Sequence, residues 1–231
     1  MTDILTSSES LSKEYCATVV KLGDIRPVEG SDFLGYTLVE GFPIVVRKDQ
    51  VHEGQMMVYC QNESALNLDF LGANNSFDWG NKEKNANYEK EVLPLIDAGD
   101  KDAAKKKCGF INKYGRIKIV RLRGQVSMGI LFPVDALIVW KPKLKDLKLE
   151  DYEGQDFDTV DRELFIKAYV PPVKEEHHTG TGPAKKFDRT VPGQFAFHYD
   201  TQNLQRNARA LKPEDEVSIS VKFHGTSANS Y

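Results

Sequence analysis

The stretch Ala17-Thr-Val-Val-Lys-Leu22 is the first of several short runs of β-branched and apolar residues, and these runs indicate the fold class. Similar runs follow at Tyr36-Thr-Leu-Val39, Ile44-Val-Val-Arg47 and Met56-Met-Val-Tyr-Cys60. Residues that favour turns, mainly Gly, Pro, Asp and Asn, separate them. Short strands divided by turns predict a small β-barrel or β-sandwich.

The strand pattern is interrupted between about residues 66 and 107, which we interpret as an insertion within one β domain. Residues 88–98 and 100–107 have helical patterns, the second with Asp100 as its N-cap. Strands resume at Gly115-Arg-Ile-Lys-Ile-Val-Arg-Leu-Arg123, where the apolar face changes sides at Ile119 and Val120. That change predicts a β-bulge. The fold class expected is therefore mainly β with short helices and a partly helical insertion.

Four regions are predicted along the chain. Residues 1–14 form a polar tail, residues 15–165 the β domain, and residues 166–190 a linker rich in Pro and Gly. Residues 191–231 begin a second structured region, with a short helix capped by Thr201. The strictly alternating strand Val217-Ser-Ile-Ser-Val-Lys222 follows that helix.

Composition excludes several classes of protein. The chain has 231 residues and a net charge of −3, so it is not a polycation that coats nucleic acid indiscriminately. Its three cysteines form no C-x-x-C pair, which argues against a disulfide framework and a structural zinc site, and no metal ligands are predicted. Neither a signal peptide nor an apolar run of about 20 residues occurs. We therefore expect an intracellular, cytoplasmic protein without a membrane partner, and its oligomeric state stays open.

Charge is unevenly distributed. Seven acids between Glu150 and Glu163 are interpreted as a solvated face. Nine basic residues lie between Lys101 and Gly124, where the only acid is Asp102. A basic strand surface flanked by aromatic residues is typical of nucleic-acid binding, although it can also be an ordinary solvated face. The residues predicted to contact RNA are Arg116, Lys118, Arg121 and Arg123, with Phe110 and Tyr114 as candidate stacking groups.

Lys222 has the position that a lysine nucleophile needs. It ends the alternating strand on the polar face and is followed by the turn His224-Gly-Thr-Ser227. Gly225 allows the backbone to approach a nucleotide closely, and the hydroxyls of Thr226 and Ser227 can bond phosphate or ribose oxygens. The alternative from these residues alone is a surface lysine that closes an amphipathic strand.

Lys222-Phe-His-Gly-Thr-Ser227 resembles the nucleophile motif of the covalent nucleotidyltransferases, and His224 resembles the RNA ligase version of that motif. Two longer stretches extend the resemblance to RNA ligases of the Deinococcus type. They are Pro192-Gly-Gln-Phe-Ala-Phe-His-Tyr-Asp-Thr-Gln-Asn-Leu204 and Gly109-Phe-Ile-Asn-Lys-Tyr-Gly-Arg-Ile-Lys-Ile-Val-Arg-Leu-Arg-Gly-Gln-Val-Ser-Met-Gly129.

The resemblance implies an N-terminal OB-fold domain at residues 15–165 and the opening helix and strand of an α+β adenylyltransferase domain at residues 191–231. It implies ATP-dependent joining of an RNA 3′-OH to a 5′-phosphate through lysyl-AMP and an adenylylated 5′ end, with Mg²⁺ or Mn²⁺, as in RNA repair. Lys222 would be the catalytic nucleophile. The partner would be RNA, which could take the form of a nicked or templated duplex. The nucleotide-binding residues implied are Val221, Lys222, His224, Gly225, Thr226 and Ser227.

Three further expectations stay open at this point. The other adenylyltransferase motifs of the family lie downstream of the nucleophile, so we expect residues 1–231 alone to be inactive. A non-catalytic nucleic-acid-binding OB protein is one alternative function. Another nucleotidyltransferase, either a DNA ligase or an mRNA capping enzyme, is the other.

Overall fold

The computed structural model describes residues 4–8, 15–172, 212 and 214–217. The strands are β1 (Leu5–Thr6), β2 (Ala17–Lys21), β3 (Arg26–Pro27), β4 (Leu34–Val39), β5 (Phe42–Arg47), β6 (Met56–Cys60), β7 (Ser64–Leu66), β8 (Val120–Leu122), β9 (Gln125–Ser127), β10 (Ile130–Phe132), β11 (Asp156–Phe157), β12 (Thr159–Val160), β13 (Glu163–Leu164) and β14 (Ile166–Ala168). The α-helices are α1 (Leu68–Ala73), α2 (Leu93–Asp97), α3 (Lys101–Lys106) and α4 (Val134–Trp140). Short 3₁₀ or π segments occur at Trp79–Lys84, which is kinked at Asn81, and at Tyr88–Val92, Pro142–Leu144 and Leu149–Tyr152. The prediction of a mainly β fold with short helices is confirmed.

The central sheet has the strand order β10-β6-β2-β11, and all of its pairs are antiparallel. Side chains alternate across it, as the period of a strand requires. Val19 and Val58 enter the main core, whereas Val20, Met57 and Tyr59 enter a second, smaller core on the other face. Because both faces are covered, the strand Ala17–Lys21 is buried at every position except Lys21, instead of alternating between buried and exposed.

The second core lies under a three-stranded antiparallel sheet, β3-β4-β5. Phe42 and Ile44 of β5 are buried in it. Strand β9 is tied to β5 through its edge, since the Val45 amide donates to Ser127 Oγ at 3.0 Å. The Met128 amide donates to the carbonyl of Pro43 at 2.9 Å, which fixes the start of β10 against the same strand.

Helices cover the other side of the main core. Phe70 of α1 is fully buried, and its ring meets those of Phe132 and Phe165 edge to face, each with 4.9 Å between ring centroids. Asn67 caps α1, because its Oδ1 accepts from the amides of Asp69 and Phe70. The predicted N-cap of α3 is confirmed: Asp100 accepts from the amide of Ala103 at 2.9 Å. The helical segments predicted at 88–98 and 100–107 are also confirmed.

The predicted polar tail and linker differ from the structure at their inner ends. Leu5, assigned to the tail, is fully buried, and β1 pairs with β12 through Leu5 and Val160. Ile166–Ala168, assigned to the linker, pairs with β7. Both segments are only two or three residues long, too short for a periodic pattern, and partners about 100 or more residues away stabilise them.

The interpretation of residues 150–163 as a solvated face is wrong for part of the run. Asp158 is buried, and its carboxylate accepts from the Ser8 amide at 2.9 Å and from Thr159 Oγ1 at 2.9 Å. Glu163 accepts a hydrogen bond from Lys141 Nζ at 2.6 Å, which lowers the pKa of the carboxyl group. Carboxylates removed from water need such partners, and two of the three, Ser8 and Lys141, come from other segments of the chain.

Candidate nucleic-acid interface

The segment that follows α3 lies against residues 76–78, with a bend at Phe110 and a single parallel bridge between Ile111 and Phe77. The Gly109 amide donates to the Phe77 carbonyl at 2.9 Å, and the Ile111 amide donates to the Ser76 carbonyl at 3.0 Å. Ile111 is buried, whereas the Phe110 ring at the bend has 69% of its surface exposed.

Arg116 is fixed by internal contacts. Its Nη2 lies 2.6 Å from Glu63 Oε2, and its guanidinium lies 4.7 Å from the centre of the Tyr169 ring. The backbone is anchored as well, because the Ile117 amide donates to the Ser64 carbonyl at 2.8 Å. Arg116 therefore presents a fixed positive charge whose hydrogen-bonding capacity is already partly used.

Strands β8 and β9 form a hairpin closed by Arg123 and Gly124, whose φ angles are 49° and 85°. Positive φ at both positions is typical of a type I′ turn, which matches the twist of the flanking strands. The sequence predicts a β-bulge at Ile119 and Val120, and the second of these residues is where the hydrogen-bonded pairing of β8 with β9 begins. Residues 117–119 have no strand assignment, and regular pairing begins only at Val120.

A groove of about 760 Å³ lies between the hairpin, the segment 110–118 and strand β5. Most of its lining is apolar, with a smaller set of polar or charged side chains. The apolar lining residues are Leu34, Val45, Val46, Val51, Met57, Phe110, Ile111, Ile117, Val120, Leu122, Ile130, Leu131 and Pro133. The charged or amide-bearing ones are Arg47, Gln50, Asp78, Asn112, Arg116 and Lys118.

The groove brings together only two of the four residues predicted to contact RNA. Arg116 and Lys118 line it, whereas Arg121 and Arg123 do not. Val120 and Leu122 of the same hairpin point into the groove, so alternation along β8 places Arg121 on the opposite face. Both arginines are exposed, and neither forms an ion pair within the described part of the chain. The four residues are thus divided between two places: Arg116 and Lys118 line the groove, whereas Arg121 lies on the other face of β8 and Arg123 in the turn.

The lining residues from β4, β5, β6 and β10 were not identified from the sequence as part of a site. Val45, Val46 and Met57 have the same apolar character as core residues and lie more than 50 positions before Phe110. No motif marks them. The one available signal was the pair of aromatic residues beside the basic run, of which Phe110 lines the groove and the exposed Tyr114 does not.

The predicted nucleophile and nucleotide-binding residues, 221–227, lie outside the described residues. Among residues 4–8, 15–172, 212 and 214–217, no three His, Cys, Asp or Glu side chains are grouped so that they could hold a metal ion. No helix in this part of the chain has the length and apolar character needed to cross a membrane. Burial raises the pKa of the Cys16 thiol to about 12 and also raises that of Cys60, so neither forms a thiolate near neutral pH.

No protein-family model and no curated protein sequence matches the chain. Among solved structures, it is similar to Naegleria gruberi RNA ligase with PPi, at 22% identity and a TM-score of 0.39, over 71% of this chain and 37% of that chain. A mutant of the same ligase with ATP and Mn aligns at 21% identity and a TM-score of 0.40, over 70% and 37%. Another mutant, with AMP and Mn, aligns at 22% identity and a TM-score of 0.37, over 68% and 36%. The chain thus spans little more than a third of these ligases.

Proposed function

We propose that this protein is an ATP-dependent RNA ligase, which joins an RNA 3′-OH to a 5′-phosphate. The observation that carries the proposal is the motif Lys222-Phe-His-Gly-Thr-Ser227 at the end of an alternating apolar and polar segment. A lysine amine in that position is suited to nucleophilic attack once its pKa is lowered, and a glycine next to it leaves room for a nucleotide.

The reaction would proceed in three transfers at phosphorus. Lys222 Nζ attacks the α-phosphate of ATP, a P–N bond forms, pyrophosphate leaves, and the amine loses its protons. An oxygen of the 5′-phosphate of an RNA end then attacks the phosphorus of lysyl-AMP, the P–N bond breaks, and the lysine amine takes up a proton. A 3′-OH finally loses its proton and attacks the RNA 5′-phosphate, a phosphodiester bond forms, and AMP leaves. Because a free lysine has a pKa of about 10.4, the site must favour the neutral amine before the first step.

The roles of neighbouring residues follow from their chemistry. Val221, His224, Gly225, Thr226 and Ser227 would surround the nucleotide, with the two hydroxyls donating to phosphate or ribose oxygens. A divalent cation, Mg²⁺ or Mn²⁺, offsets phosphate charge in such transfers. The described residues contain no group of three His, Cys, Asp or Glu side chains that could hold it, and the proposal assigns the cation to none of them.

The β domain would bind the RNA and would have the OB-fold class. A barrel-like β domain with a basic groove and exposed aromatic groups suits the backbone and bases of nucleic acid. Lys118 and Phe110 supply these groups within one groove, and Arg121 and Arg123 add positive charge on the hairpin outside the groove. The chain contains no Asp or Glu between Asp102 and Asp135, so nothing in that stretch offsets these charges.

The proposal is tested by incubating the full-length protein with α-labelled ATP and Mg²⁺ or Mn²⁺. An acid-labile protein–AMP adduct is expected, and Lys222→Ala should abolish it. Lys212→Ala is the matched control, because Lys212 is an exposed lysine ten positions upstream and should leave the adduct intact. An adduct that survives Lys222→Ala, or that maps to another lysine, would refute the assignment.

Nucleotide labelling, RNA binding and joining of strand ends, measured on the same protein, separate the alternative functions. Labelling by GTP in place of ATP would identify a capping-type enzyme. RNA binding without any adduct would identify a non-catalytic binding protein. Joining of DNA but not RNA 3′ ends would identify a DNA ligase.

A further inference from the structure

We propose that the groove between the β8–β9 hairpin and β5 binds an unpaired nucleotide of the RNA, with its base against Phe110 and the apolar lining. Lys118 at the rim would hold the adjoining phosphate. This inference rests on the proposed function, because that function names RNA as the ligand. Its new content is the place where a base binds and the requirement that this base is unpaired.

The lining of the groove is mostly apolar. Val45 and Val46 of β5, Ile130 and Leu131 of β10 and Val120 of β8 all contribute to it. Covering such a lining with a base removes apolar area from water, which is favourable. The volume of about 760 Å³ lies within the range of sites that take small organic ligands, so it admits a base together with its ribose.

Phe110 is held ready for stacking. A phenylalanine with 69% of its surface exposed gains little from the fold, yet the backbone on both sides of it is fixed by hydrogen bonds from Gly109 and Ile111. The ring therefore cannot turn into the core, where Ile111 already lies. An aromatic ring with a fixed backbone loses less conformational entropy when a base stacks on it.

The rim supplies polar groups that complement a nucleotide. Lys118 is exposed and has no ion pair within the described residues, so its ammonium group is available to a phosphate. Arg116 adds a positive charge fixed by Glu63. Asn112 Oδ1 accepts from the Tyr114 amide at 3.0 Å, which turns the amide nitrogen of the side chain toward other acceptors, such as a base edge.

A duplex cannot use this groove in the same way. Paired bases are stacked on each other inside the helix and present only their edges and the sugar-phosphate backbone. A base can lie on Phe110 only after it has left such a stack. The groove therefore favours a single strand or an unpaired position beside a duplex.

The test measures binding of the full-length protein to a labelled single-stranded RNA and to a blunt duplex of the same sequence. Phe110→Ala should weaken single-strand binding roughly 5- to 150-fold, as expected for loss of one base–aromatic stack, and duplex binding by less than about twofold. Phe33→Ala is the matched control, since Phe33 is 70% exposed and does not line the groove, and it should change neither affinity. Phe110→Tyr keeps an aromatic ring and should retain single-strand binding.

A spectroscopic readout accompanies the affinities. RNA carrying 2-aminopurine should lose fluorescence when its base stacks on Phe110, and this quenching should be absent with Phe110→Ala. The inference would be overturned if Phe110→Ala lost the same affinity for single-stranded and duplex RNA, or if its affinity for single-stranded RNA were unchanged.

The two proposals fail separately. A protein that forms no adduct at Lys222 but binds single strands through Phe110 would lose its assignment as a ligase and keep the groove. A protein that forms the adduct and is insensitive to Phe110→Ala would keep the ligase assignment and lose the groove.

Discussion

Gly109 shows how one residue sets the geometry of the candidate interface. A Cβ atom at this position would lie 2.2 Å from the Ser76 carbonyl oxygen and 2.4 Å from its carbonyl carbon. Both atoms belong to backbone that is itself hydrogen-bonded to Ile111, so neither can move away cheaply. The close approach of two backbone segments therefore requires glycine, and it directs Phe110 outward.

We expect Gly109→Ala to lower the free energy of unfolding by about 1–3 kcal/mol or more, because the added methyl group must displace packed backbone. RNA binding should weaken in the same variant, since the orientation of Phe110 depends on this contact. Chemical denaturation and RNA titration measure the two effects.

Gly23→Ala is the control for this substitution. A Cβ at Gly23 meets nothing within 4 Å, and its φ lies outside the left-handed region. The change should be neutral or should stabilise the protein by up to about 1 kcal/mol through the unfolded chain. Equal stability of the two variants would show that the approach of residues 76 and 109 is not tight.

At the scale of a single element, the β8–β9 hairpin shows how a strand distributes its side chains between two faces. Its period of two places Val120 and Leu122 in the groove and leaves Arg121 on the other face, with Arg123 in the turn. A single short element therefore serves two surfaces, one apolar and one basic. The sequence pattern contained both sets of residues, but the surface that each would face depended on where the ladder begins.

The double variant Arg121→Ala, Arg123→Ala should bind RNA more weakly and with a smaller dependence on salt. If both arginines neutralise phosphates, the slope of log K against log salt should fall by about 1.4–1.8, since each contact contributes about 0.7–0.9. Fluorescence anisotropy at several salt concentrations measures the slope.

The control is the double variant Lys145→Ala, Lys148→Ala. It removes the same charge from exposed lysines outside the groove and the hairpin, and it should leave the salt dependence of RNA binding nearly unchanged. If both double variants change the slope equally, the effect comes from net charge, and the two arginines return to the interpretation of a solvated strand face.

At the scale of the whole molecule, as far as the structure describes it, strands that are distant in sequence pair with each other. β1 near the N-terminus pairs with β12, and Gln155 Nε2 donates to the Leu5 carbonyl at 2.7 Å. β14 pairs with β7, and the ring of Tyr169 lies beside Arg116. The segment that carries Arg116 and Lys118 is therefore supported by chain that follows it by about 50 residues.

Leu5→Ala should destabilise the protein by about 2–5 kcal/mol, because Leu5 is fully buried in the main core and truncation leaves a cavity. Leu164→Ala, in strand β13 of the same sheet, removes an exposed leucine and should cost less than about 1 kcal/mol. Denaturant unfolding compares the two. A similar, small effect of both would mean that β1 does not contribute to the cooperative core.

The sequence by itself determined the β class, the main strands, the two helical segments before Gly109 and the basic, acid-poor stretch. These features depend on local preference and on periodicity within about ten residues, which a single sequence expresses directly. The sequence is also the source of the Lys222 motif, because such a motif consists of adjacent residues. The OB-fold class and the roles of residues 221–227 stay predictions.

Tertiary structure decided which side chains meet. It buried Leu5, Asp158 and Ile166, and it divided the four predicted RNA contacts between two places. The groove combines β5 with a segment more than 60 residues away, and Phe110 faces it because Gly109 packs against Ser76. Such contacts follow from strand pairing at long range, whose energy depends on partners that no local window of sequence contains.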